Sequence, residues 1–382
     1  MIEGIIWALF AGLMLGLYAI PGKYSKDFKE ENTWGLFFML TMFVVPILTT
    51  FLMMKGVGSI YGSADVQAIL PQMVVTSVLW GIGVMMWGKA IHHIGVSLGF
   101  SIFIGTVILV GSLLPFIVDG LPEAKVLGTI VLGLVFVLAG IVANGKAGIT
   151  REHDEAVAKN SDESESDEEP GKKSMGAGIL IAIIGGLLAT GFSFANAVGR
   201  PPLHEASIAQ GNPEWVTALA VMFPIFLSGG VIMAGYFAWQ LTQKKSWTSF
   251  KTSSFAKNFM LVFVMAFFHY AASAVFAYAA FKLGAVGNTV GYAIFNTACV
   301  ATAIVSGIVT GEWKLASSKA KNLLYLGLTC MIIGILIISV GNKFALEASG
   351  DVANASAQFE DVASQSEYES KTSSKRTNNE HH

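Results

Sequence analysis

Ten stretches of this 382-residue chain contain no Asp, Glu, Lys or Arg, and each runs for 19 or more residues. They are Gly4–Gly22, Thr33–Met54, Val66–Gly88, Ile94–Val118, Val126–Gly145, Ser174–Gly199, Trp215–Thr242, Asn258–Phe281, Leu283–Gly311 and Asn322–Asn342. A helix rising about 1.5 Å per residue needs about 20 residues to cross the hydrocarbon core of a bilayer. Lipid offers the backbone no hydrogen-bond partner, so a spanning segment must satisfy its own N–H and C=O groups, and each stretch is expected to be a transmembrane helix. Only 13% of residues are charged, about half the usual share for a globular domain, which argues against a soluble bundle. The expected fold is an all-α polytopic membrane protein with ten transmembrane helices.

The first stretch follows Met-Ile-Glu-Gly, with no basic leader and no small-residue cleavage site, so it reads as a retained span. Cys299 and Cys330 both fall inside spans and read as small apolar packing residues. No phosphate-binding loop, zinc spacing or dinucleotide fingerprint occurs, so no cofactor or metal, no enzymatic activity and no nucleic-acid partner are expected.

Residues 151–173, "REHDEAVAKNSDESESDEEPGKK", are acidic and poor in apolar side chains. Such a segment buries too little surface to offset its ordering entropy, and residues 146–173 are expected to be a disordered linker. The tail, 345–382, has a similar composition and the same expectation. Two five-span units remain, 1–145 and 174–344.

These units resemble each other. "GIIWALFAGLMLGLYAI" aligns without gaps on "GILIAIIGGLLATGFSF", pairing Gly4 with Gly178, Ala8 with Ala182, Gly12 with Gly186 and Leu13 with Leu187. The second span of each unit opens with Trp and carries Met-Phe and Pro further on: Trp34, Met42, Phe43 and Pro46 against Trp215, Met222, Phe223 and Pro224. The fifth spans share Leu-Gly-Leu at 132–134 and 326–328, followed by Gly140 and Gly334. With five spans per unit, the second enters the membrane from the opposite side, and the chain is expected to form two inverted five-helix repeats. Secondary transporters use that arrangement, with the substrate site near mid-membrane between the halves.

Loops after odd-numbered spans hold sixteen Lys and Arg, and segments after even-numbered spans hold five. The positive-inside rule then places the odd loops and the central linker in the cytoplasm of a multi-pass protein of the cell inner (plasma) membrane, with both termini outside.

Three stretches carry a family resemblance: "LWGIGVMMWGKAIHHIGVSLGFSIFIGTVILVGSLLP" (Leu79–Pro115), "GFSFANAVGRPPLHEASIAQGNPEW" (Gly191–Trp215) and "GIVTGEW" (Gly307–Trp313). In combination they resemble the L-rhamnose–proton symporter family of the drug/metabolite transporter superfamily. The resemblance implies a ten-helix inner-membrane carrier that imports a 6-deoxy sugar together with a proton. Met85-Met86-Trp87, His269 and the acidic linker depart from the family's usual pattern.

A carrier of this kind needs hydrogen-bonding side chains for hydroxyls, aromatics for the sugar's apolar face, and a group that gains and loses a proton. Ionisable residues are costly in lipid, so those inside spans are the first candidates. His269, near the centre of the eighth span, is the leading proton-coupling candidate, since histidine titrates near working pH. Its alternative role is a neutral histidine bonded to neighbouring backbone. Asn288, Tyr292 and Asn296 recur every four residues and share one helix face; together with Tyr270 and Asn196 they are candidates for sugar hydroxyls. Interhelical hydrogen bonding is the competing role. Trp80 and Trp87, seven apart, are candidates for stacking, against the commoner use of Trp in packing or at interfaces.

Pro201 and Pro202 lack N–H donors and clash with the preceding turn, so the sixth span is expected to end at Arg200. Beyond it, His204 and Glu205 are further proton-coupling candidates, and Arg200 joins them in an expected outer gate; a structural cap is the alternative. Glu312, at the end of the ninth span, is a second gate candidate. The expected partners are a small sugar, a coupling ion (a proton, with sodium as the alternative) and the lipid bilayer; oligomeric state is left open. Two rival readings are a drug or metabolite exporter of the same superfamily and a membrane sensor without transport.

Overall fold

The computed structural model describes residues 2–94, 96–119, 121–160, 175–284, 287–311, 313–338, 340–341 and 344. Among them there is helix and no strand. The helices are α1 (Ile2–Leu17), α2 (Glu30–Met39), α3 (Val45–Met53), α4 (Val57–Gly62), α5 (Ala64–Ile94), α6 (Val96–Asp119), α7 (Ala124–Asn160), α8 (Met175–Ala189), α9 (Gly191–Ala209), α10 (Val216–Gln243), α11 (Phe255–Lys282) and α12 (Tyr292–Val309), followed by α13 (Ser318–Ile338). Counting α2 with α3 and α8 with α9 as continuous spans, nine helices among the described residues are long and apolar enough to cross a membrane. The stretch expected to form a tenth is occupied by α6, whose described apolar core is Ile102–Gly111. The outer surface is rich in large apolar side chains such as Phe51, Leu52, Val231 and Leu336, as a face against lipid requires. α10 is the most enclosed of the nine.

Proline explains one irregularity. Between α2 and α3 the chain makes a wide turn over Leu40–Val44, in which the Val45 N–H bonds to the Leu40 carbonyl. Pro46 stands just after it, cannot donate, and crowds the carbonyl four residues back; one turn of wider pitch relieves both constraints.

Two expectations need correction. The sixth span does not end at Arg200: α9 continues through Pro201 and Pro202 to Ala209. Neighbouring groups in a packed membrane protein absorb the missing donors of a proline. The interruption comes earlier, at Thr190, whose hydroxyl bonds the Leu187 carbonyl at 2.7 Å. The expected linker also begins too early, because α7 runs on to Asn160. Its polar extension is held by tertiary contacts: the Asp154 carboxylate accepts from the Ser317 N–H at 2.9 Å, and the Arg151 guanidinium lies 4.9 Å from the Trp313 ring centre. The rest of the expected linker, from 161, and the tail from 345 lie outside the described residues.

Packing is closest where glycine replaces a side chain. α1 lies against α11 and α12, and α8 lies against α5 and α6. A Cβ at Gly12 would stand 2.6 Å from the Phe295 carbonyl, and one at Gly186 would stand 2.8 Å from the Phe103 carbonyl. α7 and α13 cross with backbone against backbone: a Cβ at Gly133 would be 3.0 Å from the Gly334 carbonyl, and one at Gly140 would be 2.6 Å from the Gly327 carbonyl. Going forward along α7 from Gly133 to Gly140 moves the contact backward along α13 from Gly334 to Gly327, so these two helices run antiparallel.

Candidate functional site

A cavity of about 380 Å³ is lined by residues from both the first and the second half of the sequence. The turn after α1 contributes Tyr18, α2 contributes Trp34 and Phe37, and α5 contributes Trp80 and Trp87. Phe237 comes from α10, His269 and Ser273 from α11, and Tyr292, Asn296 and Cys299 from α12. Its charged lining residues are Glu30, Glu31 and Lys244, at the start of α2 and the end of α10. The rim is therefore charged, while the interior is aromatic with a few neutral polar groups.

His269 sits among aromatic rings, with Tyr18 at 5.1 Å, Phe37 at 5.3 Å and Phe226 at 5.7 Å between centroids. Its Nδ1 is 3.0 Å from the Thr41 hydroxyl, which is itself 3.2 Å from the Ala266 carbonyl. One turn along α11, the Ser273 hydroxyl donates to the His269 carbonyl at 3.2 Å. Asn296 donates to the Tyr292 carbonyl at 2.9 Å, which leaves its amide oxygen for other donors. Trp87 stacks on Phe103, and Trp80 is tilted against Phe192 and Phe226.

At the rim, buried Glu31 ties α2 to the end of α10. Its carboxylate accepts a short hydrogen bond from the Ser246 hydroxyl and lies 3.3 Å from the Lys244 ammonium. Next to it, the buried Asn32 amide donates to the Ser246 carbonyl at 2.9 Å. Glu31→Ala leaves the buried Ser246 hydroxyl only its long, 3.3 Å contact to the Lys244 carbonyl, so a loss of about 1–3 kcal/mol is expected, read as a lower thermal unfolding midpoint in detergent. Lys244→Ala removes a half-exposed partner and is expected to cost no more than about 1 kcal/mol. Equal losses in the two variants would contradict this division.

The family model described as L-rhamnose–proton symport protein matches residues 1–345. The chain belongs to that family. Two similar proteins are the L-rhamnose–proton symporters of Yersinia pestis (strain Pestoides F) and Yersinia pseudotuberculosis serotype O:1b (strain IP 31758). Each is 24% identical over 356 residues, covering 89% of this chain and 98% of the relative. Membership and the nine apolar helices make this a multi-pass membrane protein of a transporter family. Every lining residue of the cavity falls within the part matched by the rhamnose–proton symport family.

In this family member, five of the sequence candidates line one cavity: Trp80, Trp87, His269, Tyr292 and Asn296. Tyr270 does not; it turns from the cavity to pack edge-on against Phe226, with its hydroxyl beside Thr49 and Thr50. Asn196 is fully buried in α9 and is not part of the lining. The side chain of Asn288 and the whole of Glu312 lie outside the described residues. Arg200, His204 and Glu205 are not among the residues that line the cavity. His204 Nδ1 is 3.0 Å from the Thr217 hydroxyl and its ring faces Phe281 at 4.5 Å, while Glu205 is exposed.

Near that end an ion pair joins Glu214 to Lys282 at 2.7 Å. The Lys282 ammonium, and more weakly His204, hold the Glu214 carboxyl below the usual carboxylate range. Sequence reasoning missed this pair, along with Thr41, Ser273 and the Glu31 cluster. A lone hydroxyl inside a charge-free span was the available signal for Thr41 and Ser273. Nothing local links Glu31 with Ser246, which is 215 residues away.

Proposed function

We propose that this protein is a proton-coupled importer of L-rhamnose or a related deoxy sugar, working by alternating access between two inverted five-helix repeats. The observation that carries the reading is the cavity, whose interior is lined by Tyr18, Trp34, Phe37, Trp80 and Trp87 around the neutral polar groups of His269, Ser273 and Asn296. A deoxy sugar has the complementary surface: an apolar ring face and methyl group for the aromatics, and hydroxyls for the polar groups. The names of the relatives point to the same substrate and the same coupling ion, a proton rather than sodium. They speak against the exporter and sensor readings.

Several packing relations support the inverted repeat. Gly12 and Gly186 are equivalent in the internal alignment, and each is pressed against a carbonyl of a helix in the other unit. Gly133 and Gly327 are equivalent, as are Gly140 and Gly334; Gly133 meets Gly334 while Gly327 meets Gly140. Such reciprocal contacts are what a two-fold axis in the membrane plane produces. The reading includes ten spans, α6 among them, two repeats over 1–145 and 174–344, and placement in the cell inner membrane with the central linker cytoplasmic. The Glu31 end of the cavity then faces the cytoplasm. The outer closure is assigned to the Glu214–Lys282 pair and the adjoining end of α9, with Arg200, His204 and Glu205.

Counterflow of radiolabelled L-rhamnose in proteoliposomes tests the function. Exchange of L-rhamnose and close deoxy sugars is expected without a gradient, and net accumulation when the outside is more acidic. Vesicles that exchange none of these sugars under any condition would refute the reading.

A further inference from the structure

We infer that Thr41 is a positioning residue for proton coupling: it fixes the tautomer of His269, so that Nε2 presents a lone pair to the cavity. This rests on the transport reading above and deepens it by stating which nitrogen takes the proton and what holds it ready.

The argument is one of donors and acceptors. The Thr41 hydroxyl has one hydrogen and two contacts, to the Ala266 carbonyl at 3.2 Å and to His269 Nδ1 at 3.0 Å. A carbonyl only accepts, so both contacts are hydrogen bonds only when the Thr41 hydrogen goes to Ala266. The Thr41 oxygen then accepts, and Nδ1 must carry the hydrogen that reaches it. A neutral imidazole has a single N–H, so Nε2 is left as the acceptor. His269 lines the cavity, and among the described residues Nε2 has no protein partner.

The position is prepared for a cation as well as for the neutral ring. When Nε2 takes a proton from a hydronium ion in the cavity, a water molecule is released and Nδ1–H keeps its bond to Thr41. The new Nε2–H is free to donate to a sugar oxygen. Thr41 itself is fully buried, so no water can substitute for its hydroxyl. Few other groups compete for the proton. Around the ring, the turn after α1 presents Tyr18, α2 presents Phe37 and α10 presents Phe226. Tyr270 follows on α11 with its hydroxyl at Thr49 and Thr50, and α12 contributes Tyr292 and Cys299 to the cavity wall. The charged lining groups, Glu30, Glu31 and Lys244, stand at the rim, and Lys23 on the turn after α1 is exposed.

Thr41→Val keeps the shape and removes the acceptor; Thr41→Ser keeps the acceptor. Diethylpyrocarbonate attacks only unprotonated ring nitrogen, so its modification of His269, mapped by peptide mass spectrometry against pH, titrates the residue without any sugar. Losing a charge-assisted hydrogen bond is expected to move the midpoint for Thr41→Val to lower pH by about one unit. Thr41→Ser is expected to keep the wild-type midpoint. The pH profile of sugar accumulation should move in parallel. Wild-type midpoints in Thr41→Val, or equal displacement in both variants, would overturn the inference. Wild-type vesicles that exchange no sugar would instead overturn the transport reading, and the chemical titration would still decide the role of Thr41.

Discussion

Valine at Gly12 is expected to remove nearly all folded protein from the membrane, and valine at Gly186 to do the same. The obstruction at Gly12 is the backbone of α12, with the Phe295 carbonyl 2.6 Å and the Cys299 nitrogen 3.0 Å from where a Cβ would sit. At Gly186 the Phe103 carbonyl of α6 stands 2.8 Å away. Backbone inside a helix cannot swing aside as a side-chain tip can, so the whole helix must shift. The expected cost is about 3 kcal/mol for each substitution, the upper end for overpacking and a large share of the stability of a typical domain. Gly128 on α7 is the control, because nothing lies within 4 Å of its Cβ position. Gel-filtration profiles of fluorescently tagged variants give the measurement. Monodisperse protein from Gly12→Val or Gly186→Val at the level of Gly128→Val would refute the close-packing account, and with it one support of the two-fold arrangement.

The second large effect is functional. His269→Ala is expected to abolish sugar accumulation driven by an inward proton gradient while leaving counterflow measurable. Accumulation requires a group that carries the proton across; exchange of sugar for sugar does not. Loss of one hydrogen bond to the substrate is expected to weaken apparent affinity by roughly tenfold. Full gradient-driven accumulation by His269→Ala vesicles would take this residue out of the proton path. Loss of both activities in a well-folded variant would make it a binding residue alone.

The spans were legible in the sequence because a charge in lipid is costly, and its exclusion over some twenty residues leaves a clear trace. The equivalence of Gly12 with Gly186 was legible too, since a position that tolerates no side chain stands out among Leu and Ile. Trp80 and Trp87 could be placed on one side of a helix from their spacing, and both line the cavity. What the chain hid was set by contacts between distant residues. Pro201 and Pro202 break an isolated helix, yet α9 carries them within a packed bundle. The start of the acidic segment has the composition of a spacer, but Asp154 reaches a backbone N–H that lies 163 residues further on. The partnership of Thr41 with His269 spans 228 residues, and no local pattern announces it.

The separation of a charged entrance from an uncharged interior sets a rule for cargo. A sugar acid or a phosphorylated sugar would have to shed its hydration shell in a chamber whose described inner wall supplies no fixed opposite charge, whereas a neutral polyol exchanges water for hydroxyl, amide and ring contacts at little cost. Uncharged monosaccharides should therefore pass where their anionic derivatives stall.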